Sequence, residues 1–265
     1  TGDVDGDGDL DVLSGGFTST LWLNEGGPQS GNPGSLTASS QDLNVGRTVF
    51  AAALTDLDND EDLDLVFGTN GGNAVFHNDG SGTFTNSGQS LGNAYTEDLA
   101  AGDLDGDGDI DLYAANKGPD AVWSNDGRGA FTLNGHNLPD LRTSSVALGD
   151  VDGDGDLDAL IGHPLESDEI GFNNGLGYFT DSIFIDTAAN TSDVALEDVN
   201  ADGHLDILIA RTIHDGLRIW FNDGTGAFVA GDHQTLSDYL LKAIALGDID
   251  GDGDLDLFGG FGGIE

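Results

Sequence analysis

The chain has 265 residues, 37% of them hydrophobic, with no Cys and no Met, and a formal charge of −42 from 49 Asp plus Glu against 7 Lys plus Arg. That is enough apolar material for a buried core, but the charge would repel nucleic acid and anionic membrane surfaces and excludes both as partners. The missing cysteines exclude disulfides, thiolate metal sites and thiol nucleophiles, and no apolar run approaches the roughly 18 residues of a membrane span.

In chain order, Thr1-Gly2-Asp3 is neither an initiator methionine nor a signal peptide, so a processed chain or an excerpt of a longer one is expected. The first element is an acidic loop, DVDGDGDLD at residues 3–11, with five aspartates in nine positions. It returns as DLDNDEDLD from Asp56, DLDGDGDID from Asp103, DVDGDGDLD from Asp150, DVNADGHLD from Asp198 and DIDGDGDLD from Asp248, at intervals of 53, 47, 47, 48 and 50 residues. Periods of this length mark solenoids or propellers. Between successive loops the sequence predicts four short strands, for example 146–149, 157–162, 170–173 and 178–185, and four strands per repeat make a propeller blade. Helical repeats also occur at such periods, but these runs alternate over four to eight residues and are broken by the 43 Gly.

A second turn follows in fixed order as NDGSGTF from Asn78, NDGRGAF from Asn125, NNGLGYF from Asn173 and NDGTGAF from Asn222, with the positive φ of tight hairpins expected at Gly. The first repeat departs, since Asn24-Glu25-Gly26-Gly27 runs into the insertion PQSGNPGSLT, expected to be mobile. Trp22, Trp123 and Trp220 share a third-strand register, which predicts packing between blades rather than a sugar-stacking platform. Asn190-Thr191-Ser192 is a weak glycosylation sequon. At the seam, the first repeat has its second to fourth strands and the last has 243–247 and 255–260, a first and a second. The expectation is an all-β, single-domain propeller over residues 1–265 with six repeats, the terminal ones incomplete. Its missing outer strands would come from further chain or a neighbouring subunit.

The acidic loops demand a counter-charge, because carboxylates about 4 Å apart repel by roughly 1 kcal/mol per pair even in water. Position 1 is Asp3, Asp56, Asp103, Asp150, Asp198 and Asp248; position 3 is Asp5, Asp58, Asp105, Asp152, Asn200 and Asp250. Position 5 is Asp7, Asp60, Asp107, Asp154, Asp202 and Asp252; position 9 is Asp11, Asp64, Asp111, Asp158, Asp206 and Asp256. These offer side-chain oxygens, while Asp9, Asp62, Asp109, Asp156, His204 and Asp254 at position 7 are expected to offer the backbone carbonyl. Hard oxygen donors in that number suit Ca2+, up to six ions in all, with Gly at position 6 for the sharp turn. An EF-hand would place a Glu at position 12, where this chain has Ser14, Phe67, Ala114, Ile161, Ile209 and Gly259. The ninth position instead enters an apolar strand. A solvated acidic surface would explain the charge but not the repeated spacing.

These loops, Phe67-Gly68, Phe258-Gly259-Gly260 and the NDGxGxF turns resemble the FG-GAP or VCBS repeats of integrin α-subunit propellers and many bacterial surface proteins. The resemblance covers nearly the whole chain and implies a calcium-stabilised propeller outside the cell, serving adhesion or glycan and protein binding. The chain departs from the pattern at Glu61, Asn200 and His204, so the second and fifth loops are expected to hold calcium least well.

Catalysis finds no foothold, since the six His form no HExxH and no GxSxG is present, and the carboxylates a glycosidase needs are committed to the loops. The chain is expected not to be an enzyme. Strand direction puts the acidic loops and NDGxG turns at one end. The other end collects Arg47, Lys117, Arg142, Arg211 and Lys242, five of the seven basic residues, with Tyr95, His163, His214 and Tyr239. That end is the expected ligand face, for a glycan, a protein or copies of the chain itself. The alternatives are a self-assembling subunit of a surface layer or filament, and an accessory domain of a secreted enzyme.

Overall fold

The computed structural model describes residues 1–24, 35–135, 138–187, 190–212, 216–231 and 240–262. Among these residues every regular element is a strand, and the strands form six antiparallel sheets in sequential order. They group into two compact units, one of residues 1–103, 107–116 and 121–135, the other of residues 104–106, 117–120 and 136–265. Most of the insertion PQSGNPGSLT lies outside the described residues, as do His214 and Tyr239.

The first unit holds a three-stranded sheet of β1 (Val12–Ser14), β2 (Thr20–Asn24) and β3 (Leu36–Ala38). A four-stranded sheet of β4 (Val49–Thr55), β5 (Asp64–Thr69), β6 (Asn73–Asn78) and β7 (Phe84–Leu91) follows. The third is β8 (Thr96–Gly102), β9 (Asp111–Asn116), β10 (Ala121–Ser124) and β11 (Thr132–Leu133). In the second unit, β12 (Ser145–Gly149), β13 (Asp158–Gly162), β14 (Glu169–Asn173) and β15 (Phe179–Phe184) make one four-stranded sheet. Another comprises β16 (Thr191–Glu197), β17 (Asp206–Arg211), β18 (Leu217–Asn222) and β19 (Phe228–Ala230). Last come β20 (Leu240–Gly247) and β21 (Asp256–Gly262), which pair with each other as a sheet of two.

Burial explains the strand composition. In each four-stranded sheet the second strand is buried along its whole length, DLVFGT in β5, DLYAAN in β9, DALIG in β13 and DILIAR in β17. A strand covered on both faces shows an unbroken apolar run, and each fully buried Leu, Ile or Phe contributes about 1.5–3 kcal/mol. The outer strands are mostly exposed instead, as β15 shows with Phe179 buried and the five residues after it exposed. Apolar side chains lock neighbouring sheets face to face. Leu65, Phe67 and Phe76 pack with Val4, Leu21 and Val49 in the first unit, and Ile170 and Leu160 pack with Val194, Ile207 and Ile209 in the second. Trp123 and Trp220 join such clusters half-buried, as their register predicts, whereas Trp22 keeps 37% of its surface exposed.

Candidate metal loops and ligand face

The six acidic loops repeat one pattern of backbone amides donating to carboxylates. The position-1 aspartate accepts from the amide of position 6: Gly8 on Asp3 at 2.9 Å, Glu61 on Asp56 at 2.9 Å and Gly108 on Asp103 at 3.1 Å. Gly155 on Asp150 at 3.1 Å, Gly203 on Asp198 at 2.8 Å and Gly253 on Asp248 at 3.0 Å complete the set. The position-5 side chain accepts from position 7, as Asp9 N donates to Asp7 at 2.9 Å and His204 N to Asp202 at 3.0 Å. Position 9 opens β5, β9, β13, β17 and β21, and in the first loop it directly precedes β1. Asp11, Asp64, Asp111, Asp158 and Asp206 are at most 1% exposed there. Both oxygens of Asp158 are engaged, one by Val151 N at 3.2 Å and the other by Asn173 N at 2.9 Å.

Wrapping the chain this tightly requires a left-handed backbone at positions 4 and 6, where Gly153 has φ 81° and Gly155 has φ 97°. Among the described residues the only non-glycines with positive φ are Asn59 (62°), Glu61 (73°) and Ala201 (60°). All three lie in the second and fifth loops. A side chain in that region costs about 1–2 kcal/mol, so these loops carry strain that the others avoid. The sequence pointed to Glu61; the need for Gly at position 4, and so the strain at Asn59 and Ala201, emerged only from the backbone.

The NDGxG turn clasps two loops at once. Asn78 Nδ2 donates to Leu63 O at 3.1 Å in its own repeat's loop and to Val4 O at 2.8 Å in the preceding one. Asn125 does the same to Ile110 O and Leu57 O, and Asn222 to Leu205 O and Val151 O. The turn glycines answer to space as well as to φ. A Cβ on Gly80 would lie 2.3 Å from Asp62 and one on Gly175 2.6 Å from Asp156. The position-7 side chains thus lie against the turn.

The residues present fit a hard divalent cation. Asp3, Asp5 and Asp11 each place an oxygen within 4.8 Å of the others, and Asp150, Asp152 and Asp158 do likewise, as do Asp56, Asp58 and Asp60. Asp58 Oδ1, at position 3, is buried without a hydrogen-bond partner. Burial, then the neighbouring carboxylates, pushes Asp5 and Asp58 above the usual carboxylate range. Burial, opposed by its two amide hydrogen bonds and assisted by Asp152 and Asp154, takes Asp158 up to about 6. Charge gathered this way lacks a positive centre. In the second loop His77, unforeseen from the sequence, brings Nδ1 to 3.4 Å from Asp58 and 3.5 Å from Asp64.

The expected ligand face divides. Arg47 is exposed and lines a cleft of about 530 Å³ with Phe17, Asn44, Gly46, Thr48 and Asn70, its guanidinium donating to Gly72 O at 3.0 Å. Tyr95 stacks against exposed Phe50 with ring centroids 4.5 Å apart. Lys117, Arg142 and Lys242 are exposed. Arg211 and His163, each 2% exposed, are instead interior. Arg211 bridges Asp168 at 3.3 Å and Asp186 at 3.1 Å, while His163 Nδ1 meets Arg142 O at 2.9 Å. Arg211 spends its charge on two carboxylates, and the depth of both side chains removes them from any contact surface.

The family model for the FG-GAP-like repeat matches residues 3–67, 56–114, 103–161 and 198–259. No curated protein matches. Among solved structures, the BP39L lectin from Burkholderia pseudomallei is similar at TM-score 0.66 and 15% identity, over 97% of this chain and 76% of that one. A lectin from Agrocybe aegerita that recognises non-reducing terminal N-acetylglucosamine is similar at TM-score 0.59 and 21% identity, over 86% of this chain and 63% of that one. BBS1N, solved in complex with ARL6DN, is similar at TM-score 0.58 and 12% identity, over 89% of this chain and 66% of that one. The chain thus spans just under two thirds of the latter two, and at these identities the likeness is one of fold.

Proposed function

The chain belongs to the family of FG-GAP-like repeat proteins, and from that premise we propose that it is an extracellular six-bladed β-propeller, fastened by calcium in its acidic loops, that recognises a glycan through the end away from those loops. Calcium would supply the positive centre that the loop carboxylates lack, held by positions 1, 3, 5 and 9. The role is binding without a catalytic step, because backbone amides already engage the carboxylates on which a hydrolase would draw.

The observation that carries the recognition reading is the Phe17–Arg47 cleft. Phe17 is 85% exposed, an uncommon position for a large ring, and beside it stand a guanidinium, two amides and a hydroxyl. A ring for stacking with fixed polar groups for hydroxyls is what a saccharide requires, and the −42 charge favours a neutral sugar over an acidic one. Two of the similar structures are lectins, which supports the same class of ligand. Isothermal titration of the calcium-loaded protein with N-acetylglucosamine oligosaccharides tests this. Binding weakened in both Phe17→Ala and Arg47→Ala, with melting unchanged, is expected. Binding indifferent to both variants would remove the cleft as the site.

A further inference from the structure

The second unit contains a cavity that the loops and the Phe17–Arg47 cleft leave unexplained. It has a volume of about 340 Å³ and opens beside β14 and β15. Leu138, Pro139, Ile161 and Phe179 supply apolar walls, and Glu169 and Ser182 are part of its lining. Glu169 is 6% exposed, a rare state for an ionisable side chain. Among the described residues its partners are the Ser182 hydroxyl, donating at 3.5 Å, and His163 Nε2 at 3.9 Å, and no Lys or Arg pairs with it. His163 is itself 2% exposed, and its Nε2 makes no hydrogen bond. Asp181, exposed, is a second acidic residue of the lining.

We propose that this cavity receives a lysine side chain presented by a protein or peptide partner. Four apolar walls match a flexible aliphatic stem, and a buried carboxylate with one weak hydroxyl contact matches the ammonium at its end. A chain of formal charge −42 also draws cationic partners toward its surface, so field and cavity act in the same direction. Gly171 is part of the lining. A Cβ there would meet Phe179 at 3.5 Å and Ile161 at 3.8 Å, two other lining residues, so a larger side chain at this position takes space from the cavity. The cavity shares no residue with the saccharide cleft, and the inference stands apart from that reading.

The test is titration calorimetry on the calcium-loaded protein at low ionic strength, with the peptide acetyl-Gly-Lys-Gly-amide, its norleucine and Nε-acetyl-lysine counterparts, and n-pentylamine. The lysine peptide is expected to bind, with the norleucine and acetylated peptides weaker by about tenfold or more, since each lacks the charged donor. Glu169→Gln should weaken the lysine peptide by the same factor. Gly171→Val, which fills the cavity and leaves the carboxylate in place, should abolish binding. Both variants should melt as the parent does in calcium. Norleucine binding equal to lysine, or affinity unmoved by Gly171→Val, overturns the proposal, as does the absence of heat with every probe at millimolar concentration. Pentylamine binding as tightly as the peptide would overturn the peptide partner and assign the cavity to small amines.

Discussion

Replacing Asn125 by Ala isolates the contact that ties one repeat to the next. Asn125 is 5% exposed, and its side-chain amide donates to Leu57 O at 2.8 Å and Ile110 O at 3.0 Å. The variant retains the backbone hydrogen bond from Asn125 N to Asp111, so the turn itself is preserved. Losing two buried donors costs about 1–2 kcal/mol each, which predicts a loss of about 2–4 kcal/mol. Asn125→Asp should be worse than Ala, because it turns a carboxylate toward two carbonyl oxygens within an already acidic region. Because the Leu57 carbonyl belongs to the second acidic loop, calcium affinity at that loop should fall while the fourth and sixth loops keep theirs. Urea unfolding in millimolar calcium, with fluorescence and circular dichroism compared for coincidence, reads the stability. Terbium luminescence or calcium titration reads the sites. A change below about 0.5 kcal/mol for Asn125→Ala, the range of an ordinary surface substitution, would refute the clasp. So would an Asp variant more stable than the Ala variant.

The strained loops make the opposite prediction: Ala201→Gly, at φ 60°, should raise stability by about 1 kcal/mol, whereas Gly153→Ala, at φ 81°, should lower it by a similar amount. Partial chelation should empty the second and fifth loops before the fourth, and anomalous scattering that finds them fuller would contradict the ranking. Excess chelator should lower the melting temperature at matched ionic strength, since the ion binds the folded loops; equal midpoints with and without calcium would defeat the metal assignment. The pH dependence should change sign with the metal. Without calcium, Asp158 binds its proton up to about pH 6 when folded and to about 3.8 when unfolded, so the folded state holds more protons between those values. Stability in chelator therefore falls as pH rises through that window, while in calcium protons compete with the ion and stability rises with pH. Slopes of the same sign in both conditions would refute this.

Much of the protein was legible in the sequence because much of it is local. Nine consecutive residues contain the amides and carboxylates that shape each acidic loop, as Gly155 and Asp150 show, so spacing alone identified them. The strand expected at 157–162 is β13 at Asp158–Gly162, because unbroken apolar runs between turns leave few other conformations. Position 4 escaped notice because Gly at that place looked like ordinary turn composition until the backbone showed φ 81° at Gly153 and the same hand at Ala201.

What the tertiary structure decided depends on residues far apart in the chain. Asn78 was read as a turn former, and its bond to Val4 O across 74 positions has no local signature. Arg211 and His163 were placed on a ligand face because strand direction puts them at that end, yet direction says nothing of depth. Asp168 and Asp186, 43 and 25 residues upstream of Arg211, supply the counter-charges that make its burial tolerable. The cavity beside Glu169 arises in the same way. A glycine in one strand, the phenylalanine of the next and a connecting segment from before the sheet must meet before the space exists. Backbone shape is set largely by short-range sterics and hydrogen bonds, which spacing records; burial, charge pairing and cavities are set by which distant side chains arrive together, which only the folded chain determines.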